Sequence, residues 1–159
     1  MIRVAETDEE LARFAAVRLA CSPRETAAPP RRDDGKLLLL WDDVACALAA
    51  RSNLADSVTV QVYVRPEARR EGIGAALAER LVAHARTLGR DHLFATVDSL
   101  AADGVAFAGR RGLVEVDREV ELRRTVGDEP DAPAPAGIEL VSVAERPELL
   151  EAAWHAVGA

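Results

Sequence analysis

The sequence is short of cysteine, of net positive charge and of long apolar runs, and each shortage excludes a class of protein. Its two cysteines, Cys21 and Cys46, are too few for a disulfide framework and lack the spacing of a metal or redox motif. We expect both to be free, buried thiols. The net charge of −7 argues against a nucleic-acid-binding protein, because such proteins are more often basic.

The longest apolar run, Leu37 to Trp41, is far too short to span a membrane. The first ten residues are acidic and lack the apolar core of a signal peptide. What is present is ordinary globular composition, with 49% hydrophobic and 30% charged residues, and 159 residues can form one full domain and a remainder. We therefore expect a soluble, cytoplasmic protein without nucleic-acid or membrane partners.

Hydrophobic periodicity predicts helices and strands along most of the chain. The longest predicted helix carries its apolar residues on one stripe and ends at Gly89, and the strand before it has its valines on one face. A Pro- and Arg-rich segment, Ser22 to Gly35, predicts a loop. The predicted elements are strand Ile2–Ala5, a helix capped by Thr7 or Asp8, strands Leu37–Trp41, Val44–Leu48 and Val58–Val64, helix Ile73–Leu88, strand Leu93–Val97 (too apolar for a sheet edge), a helix capped by Ser99 and ending at Gly109, and strand Val114–Leu122.

This order predicts an α/β fold with a mixed, mostly antiparallel sheet flanked by helices, formed by residues 1–126. Residues 127–137 alternate Pro and Ala with acidic residues, which is typical of a linker. Residues 138–159 repeat the strand-then-helix opening of the chain, with a strand at Ile138–Val141 and a helix over Glu148–Trp154. So short a segment cannot fold alone, and it is interpreted as the beginning of a second, similar domain.

The most informative segment is the end of the strand Val58–Val64 and the start of the next helix. An arginine pair, Arg69 and Arg70, precedes the glycine-rich turn Gly72–Gly74. Backbone N–H groups at such a turn can hold a phosphate group, and arginines add donors of fixed geometry. A dinucleotide-binding loop is a competing interpretation, but its third glycine would fall at Leu77. Glycines that serve packing alone are the structural alternative.

The segment Arg69 to Ala75 resembles the Gln/Arg-x-x-Gly-x-Gly/Ala signature of the GCN5-related N-acetyltransferases (the GNAT family), which use acyl-CoA. Val64 to Glu67 resembles the Val-x-Pro step before that signature. Phe107 to Leu113 resembles the Phe-Tyr-x-x-x-Gly-Phe close of the family's last helix. The resemblance covers residues 1–126 and implies the acyl-CoA N-acyltransferase (GNAT) fold. The restart at Ile138 is similar to the family's tandem members.

The resemblance also implies acetyl-CoA or CoA as the cofactor. In the family, the loop amides bind the pyrophosphate, and the strand before the loop splays so that its backbone pairs with pantetheine. Arg69, Arg70 and Arg65 would face the phosphates, and side chains at Gly72 or Gly74 would collide with the pyrophosphate. The implied cofactor-binding residues are Val62, Tyr63, Val64, Arg69, Arg70, Glu71, Gly72, Ile73, Gly74 and Ala75.

The chain departs from the family at its catalytic positions. The family's frequent general acid, a Tyr in the last helix, is Ala108 here, and the Asn about two turns earlier falls near Ala101. The Glu of the fourth strand has no counterpart in the segment 58–61. Asp98 is the one candidate for a base toward the incoming amine, and the alternative is a turn residue beside Ser99.

Two functions remain open. The first is an acetyl-CoA-dependent N-acetyltransferase that transfers the acyl group to a small-molecule or peptide amine by direct attack. The alternative is a catalytically weakened half of a tandem acetyltransferase, which binds CoA or has a regulatory or structural role. Apolar residues in the tail, Leu149, Leu150 and Trp154, would favour a homodimer.

The histidines and the remaining aromatic residues predict no further site. His84, His92 and His155 lack ligand spacing, so no metal site is expected. Tyr63 is expected to pack on the sheet rather than line an acceptor cleft, and Trp41 is expected to pack as well.

Overall fold

A computed structural model describes residues 1–23, 28–33, 35–54, 56–120, 122, 125, 127 and 134–157. The chain divides into two compact units, residues 1–116 and residues 117–159, and each is considered by itself. Within the described part of the chain, no helix is both long and apolar enough to cross a membrane.

The first unit is built on a sheet whose strands follow the chain order. Among the described residues the order is β1-β2-β3-β4-β5, with antiparallel pairing between the first four strands and parallel pairing between β4 and β5. The predicted mixed, mostly antiparallel sheet flanked by helices is therefore confirmed. The strands are β1 (Ile2–Val4), β2 (Leu37–Trp41), β3 (Ala45–Arg51), β4 (Ser57–Val64) and β5 (His92–Phe94).

Helix α1 (Asp8–Cys21) covers one face of the sheet. Thr7 caps it, because its hydroxyl oxygen accepts from the Glu10 N–H at 3.2 Å while the Glu10 carboxylate accepts from the Thr7 N–H at 3.1 Å. Phe14 and Val17 are buried against Leu40 and neighbouring residues of the sheet. One of the two predicted caps is thus the observed one.

Helix α2 (Ile73–Thr87) covers the opposite face, and its apolar stripe is buried as predicted. The helix ends in a Schellman motif, in which the Arg90 N–H donates to the Ala85 carbonyl at 3.1 Å and Gly89 takes a positive φ of 64°. The buried stripe consists of Ile73, Leu77, Leu81 and Ala85, with Leu88 partly buried beside it.

Strand β4 separates these two apolar layers by its period of two. Val58, Val60, Val62 and Val64 pack in the α2 layer, and Tyr63 packs in the α1 layer. The predicted packing of Tyr63 on the sheet is confirmed, and Trp41 packs at the edge of the α2 layer.

Several predictions for the second half of the first unit are wrong. The predicted strand Leu93–Val97 is shorter in the structure, where it is the three-residue β5. Its apolar sequence predicts an inner strand, but β5 is at the end of the described strand order. Helix α3 (Ala102–Gly109) begins after Ala101, which has no side-chain cap, so Ser99 is not its cap. Apolar content misled here because Leu93 and Ala95 pack against the α2 layer without needing a further strand.

The strand predicted at Val114–Leu122 is also absent: residues 114–120 and 122 form no strand, and Glu121 lies outside the described residues. The alternating pattern has the period of a strand, but the described sheet contains only the five strands named above. In the second unit Ile138–Val141 forms no strand either, whereas the predicted helix is confirmed as α4 (Leu149–Val157).

The predicted loop Ser22–Gly35 lies only partly within the described residues. Residues 22–23, 28–33 and 35 form no helix or strand, and residues 24–27 and 34 lie outside the described part.

Candidate functional site

The glycine-rich turn lies between β4 and α2, as the sequence predicts. A short 3₁₀ turn, Pro66–Ala68, follows the strand, and the backbone then takes positive φ at Arg70 (70°) and Gly72 (82°) before α2 begins. A positive φ at a non-glycine residue is uncommon, and at Arg70 it turns the chain so that successive amides approach the helix end.

The amides at the start of α2 precede its hydrogen-bond ladder. In the described structure the first bond into the helix runs from the Ala76 N–H to the Gly72 carbonyl, at 3.0 Å. The N–H groups of Ile73, Gly74 and Ala75 are therefore the free donors of a helix N-terminus, where the helix dipole favours an anion. This end of the helix can hold a phosphate group.

The two glycines of the turn have different structural reasons. Gly72 needs its positive φ, and a Cβ there would meet nothing within 4 Å. A Cβ on Gly74 would lie 3.2 Å from Cε2 of Phe107 and 3.6 Å from Cγ2 of Val64. Gly74 is therefore where α3 approaches the start of α2, a packing reason that stands beside the ligand reason inferred from the sequence.

The edge of β4 beside this turn has no strand partner among the described residues. Strand β5 pairs with β4 only from Ser57 to Thr59, so the segment from Val62 to Val64 extends beyond it. The Arg65 N–H donates to the Val44 carbonyl at 2.9 Å, toward β3. Since peptide groups alternate along a strand, those of Val62 and Val64 point to the open edge, and those of Tyr63 point to β3. An extended ligand could pair with this edge.

The arginine pair is held by an acidic residue of α3. Nη2 of Arg70 lies 2.6 Å from Oδ1 of Asp103, and Nη1 of Arg69 lies 3.9 Å from Oδ2 of the same carboxylate. The Arg69 Nε also donates to the Val64 carbonyl at 3.1 Å, at the end of the open edge. Glu71 follows the pair and is exposed. Sequence reasoning missed Asp103, because an aspartate in the first turn of a helix is ordinarily explained by the helix dipole alone.

Arg65 lies apart from that pair. It lines a groove of about 470 Å³ with Arg13, Val17 and Asp43, on the side of the sheet that α1 covers. Its Nε is buried without a hydrogen-bond partner in the described structure, and its Nη1 lies 4.0 Å from the Glu67 carboxylate. The structure therefore groups Arg65 with α1 rather than with Arg69 and Arg70.

Asp98 occupies a turn. Its Oδ1 accepts from the Leu100 N–H at 2.9 Å, and its carbonyl accepts from the Ala101 N–H at 2.9 Å. The side chain is thus engaged in shaping the approach to α3, which is the structural alternative given for it. At the family's other catalytic positions, Ala101 precedes α3 and Ala108 lies within it, and neither side chain can exchange a proton.

The two cysteines are free, and neither thiol is activated. Burial raises the pKa of Cys46 to about 12, with a smaller contribution from the nearby Cys21. Burial also raises the pKa of Cys21, and Arg69 and Arg65 oppose that rise. A thiol acts as a nucleophile only as the thiolate, so these residues supply no nucleophile to the site.

The histidines contribute nothing to the turn. Nε2 of His84 lies 3.1 Å from the Gly35 carbonyl, His92 begins β5, and His155 lies 3.9 Å from Glu151 in α4.

The similarity to known proteins covers much more of the chain than the glycine-rich turn. The acetyltransferase (GNAT) family model matches residues 4–113. A curated relative, the mycothiol acetyltransferase of Catenulispora acidiphila, is 33% identical over 114 residues, which cover 71% of this chain and 35% of the relative. The chain thus spans about a third of the length of that relative.

Solved structures share the fold at low identity. An acetyltransferase from Agrobacterium tumefaciens, described as putative, has a TM-score of 0.61 at 14% identity, covering 78% of this chain and 99% of its own. An aminoglycoside N-acetyltransferase solved in complex with CoA has a TM-score of 0.60 at 12% identity, covering 79% and 96%. An aminoglycoside 6'-N-acetyltransferase from Acinetobacter baumannii has 0.59 at 18%, covering 80% and 99%. With the family model matching most of its length, this chain belongs to the GNAT family of acetyltransferases.

Proposed function

We propose that this chain uses acetyl-CoA to acetylate an amine by direct attack. The observation that carries the proposal is that two features able to bind a ligand lie on either side of the same turn. The free amides of Ile73 to Ala75 begin α2, and the open edge at Val62 to Val64 ends β4 just before the same turn. A phosphate-bearing ligand with an extended, amide-containing arm matches both.

The residues present fit CoA in three respects. The helix N-terminus and the turn supply N–H donors for a pyrophosphate. Arg69 and Arg70 supply charge and guanidinium donors beside it. The N–H and carbonyl of Val62 and the N–H of Val64 supply groups that can pair with an extended amide chain, whereas the Val64 carbonyl already accepts from Arg69 Nε. The cofactor-binding residues predicted from the sequence remain a proposal, and within that set Tyr63 acts through packing, because its peptide group points to β3.

Acetyl-CoA supplies an acyl group already activated as a thioester. The chain's part in the reaction is to hold the two reactants in line, since proximity and orientation can lower a barrier substantially without an acid or base. A backbone N–H on the open edge of β4 would polarise the acyl carbonyl. Ala108 cannot protonate the departing thiolate, so we assign that proton to solvent. Asp98 remains the candidate for relaying a proton from the amine through water.

A second function is favoured by one specific observation, the alanines at positions 101 and 108. They leave the phosphate-binding turn intact and remove the family's usual proton-transfer groups. Under this alternative the chain is a weakened, CoA-binding or regulatory half of a tandem acetyltransferase. Residues 1–126 would be the first domain, 127–137 the linker and 138–159 the beginning of the second. Leu150 and Trp154 of α4, exposed in the second unit, would then contact the rest of that domain or a second copy.

Calorimetric titration with CoA tests the binding part. We expect micromolar binding by the parent chain and its loss in Gly72→Glu, because the added carboxylate repels the pyrophosphate at the mouth of the turn. Gly89→Glu is the matched control, since it adds the same charge at a glycine of positive φ (64°) at the other end of α2. No binding by the parent, or equal loss in both variants, would contradict the proposal.

Ala108→Tyr separates the two functions. It restores a phenol at the position where the family places its general acid, and Ala108 is only half-buried, which leaves room for a larger side chain. A rise in the rate of acetyl-CoA turnover with an amine panel supports a weakened enzyme. Unchanged turnover in a variant that still binds CoA supports the binding half.

A further inference from the structure

One carboxylate, that of Asp103, binds Arg70 directly and lies within ion-pair distance of Arg69, beside the turn that a phosphate group would use. We propose that Asp103 is an internal competitor for the cofactor, whose phosphate must displace it from Arg70 or bind beside its charge. This inference rests on the proposed function, because it concerns the same phosphate-binding turn. It adds a residue of α3 that lowers cofactor affinity and couples the position of α3 to binding.

The contact is shared between the two arginines. Each Asp103 oxygen faces one guanidinium, Oδ1 at 2.6 Å from Nη2 of Arg70 and Oδ2 at 3.9 Å from Nη1 of Arg69. Arg69 is also fixed by its bond to the Val64 carbonyl. Carboxylate and phosphate oxygens bind the same kind of donor, so a phosphate must displace Asp103 from Nη2 of Arg70 or bind the remaining donors beside a like charge.

The pair is partly open to solvent. The exposed fractions of the side chains are 70% for Arg70, 56% for Asp103 and 42% for Arg69. An exposed pair of this kind contributes little to folding. Its effect on a ligand is larger, because the Asp103 charge cancels one of the two positive charges beside the turn and lies next to any bound phosphate.

Helix α3 is attached loosely enough to move with this contact. None of its residues is buried. Besides the Asp103 pairs, its contacts with the turn include the Phe107 ring, which lies over Gly74. Displacement of Asp103 by a phosphate group would therefore release the first turn of α3 from the site, while the Phe107 contact remains one turn further along.

A structural role predicts the opposite sign. If Asp103 merely held the arginines in a productive position, removing its carboxylate would weaken CoA binding. If it competes, removal strengthens binding, and the gain shrinks with salt because the charges are exposed. The sign of the change in affinity therefore decides between the two.

The experiment is calorimetric titration of CoA, and separately of inorganic pyrophosphate, into the full chain and three variants. Asp103→Asn removes the charge at similar size, and Asp103→Glu retains a carboxylate. Asp56→Asn is the matched control, because Asp56 is an exposed aspartate paired with an arginine (Arg90 Nη1 at 3.3 Å) before the start of β4. We expect Asp103→Asn to bind CoA roughly 3- to 10-fold more tightly at low salt, with the gap closing near 0.5 M salt.

Under the same proposal, Asp103→Glu and Asp56→Asn bind CoA like the parent. Equal or weaker binding by Asp103→Asn would overturn the inference. If the parent binds pyrophosphate but not CoA, the proposed function fails, and the affinity ratio for pyrophosphate still decides the role of Asp103. If neither compound binds the parent or Asp103→Asn, both proposals are wrong.

Discussion

Two helices, α2 and α3, meet at the glycine-rich turn, and they are held in opposite ways. Helix α2 buries a continuous stripe that includes Leu77 and Leu81 against the sheet. The glycine-rich turn supplies its N-cap, Gly72, and the start of its first turn. Helix α3 buries no residue and reaches the turn through the side chains of Asp103 and Phe107. The side of the turn formed by α2 is thus joined to the core, whereas α3, where the resemblance places the family's acid, lies at the surface.

This difference suggests why one half of the site is intact and the other is not. At Gly72 the positive φ of 82° makes substitution costly to folding, so this position of the turn is constrained by folding as well as by any ligand. A change at Ala101 or Ala108 costs little stability, because those positions bury little. Positions of that kind can lose or gain catalytic groups independently of the fold.

The largest expected effect tests the comparison directly. Leu77→Ala should lower the free energy of unfolding by about 3 kcal/mol, because Leu77 is 0% exposed and its removal leaves a cavity. Val105→Ala in α3, at 48% exposed, should cost less than about 1 kcal/mol. Urea unfolding at constant m-value measures both, and similar losses would mean that α3 is as firmly packed as α2.

A second, smaller contrast compares two glycines. Gly72→Ala should destabilise by roughly 1 to 2 kcal/mol, because its φ of 82° is unfavourable for any residue with a Cβ. Gly109→Ala at the end of α3 should stabilise by about 0.5 kcal/mol, since a Cβ there meets nothing within 4 Å and alanine favours the helix. Thermal unfolding of the two variants reports opposite shifts in Tm, and shifts of equal sign would contradict the strain assigned to Gly72.

The smallest expected effect tests whether α3 can shift at its contact with α2. A Cβ on Gly74 would lie 3.2 Å from the Phe107 ring, which is too close unless the ring shifts by a few tenths of an ångström. If α3 is adjustable, Gly74→Ala should be stabilising by up to about 0.5 kcal/mol, the helical preference for alanine less the cost of the shift. A destabilisation that disappears in a Phe107→Ala background would instead show that α3 is rigid where it touches α2.

The sequence predicts well the elements whose determinants are local. The apolar stripe of α2, the α1 cap (Thr7, one of two predicted residues) and the Gly89 end depend on residues within one or two turns, and each is found in the structure. The cap predicted at Ser99 was equally local and is wrong. The alternating segment Val114–Leu122 is different, because a strand also requires a partner strand. The pattern along the chain carries no information about such a partner, and the segment is irregular over its described residues.

In the candidate site, too, features formed by neighbouring residues could be predicted, and contacts between distant residues could not. The turn could be recognised because its glycines and arginines are contiguous in the chain. The ion pair between Arg70 and Asp103 joins residues 33 positions apart, and an acidic residue on a short helix gives no sign of its partner. Likewise, the alternation of β4 places Val62 and Val64 at an open edge only once the short length of β5 is known.

The open edge has a consequence for the stability of the whole unit. Over Val62 to Val64, one edge of β4 has no partner strand among the described residues. An extended ligand that paired with this edge would take the place of a strand and could dissociate again. Any ligand that binds only the folded chain adds RT ln(1 + [L]/Kd) to its stability, about 2.7 kcal/mol at a hundredfold excess over Kd. A larger supply of such a ligand would then raise the free energy of unfolding and lower the small population of unfolded chain.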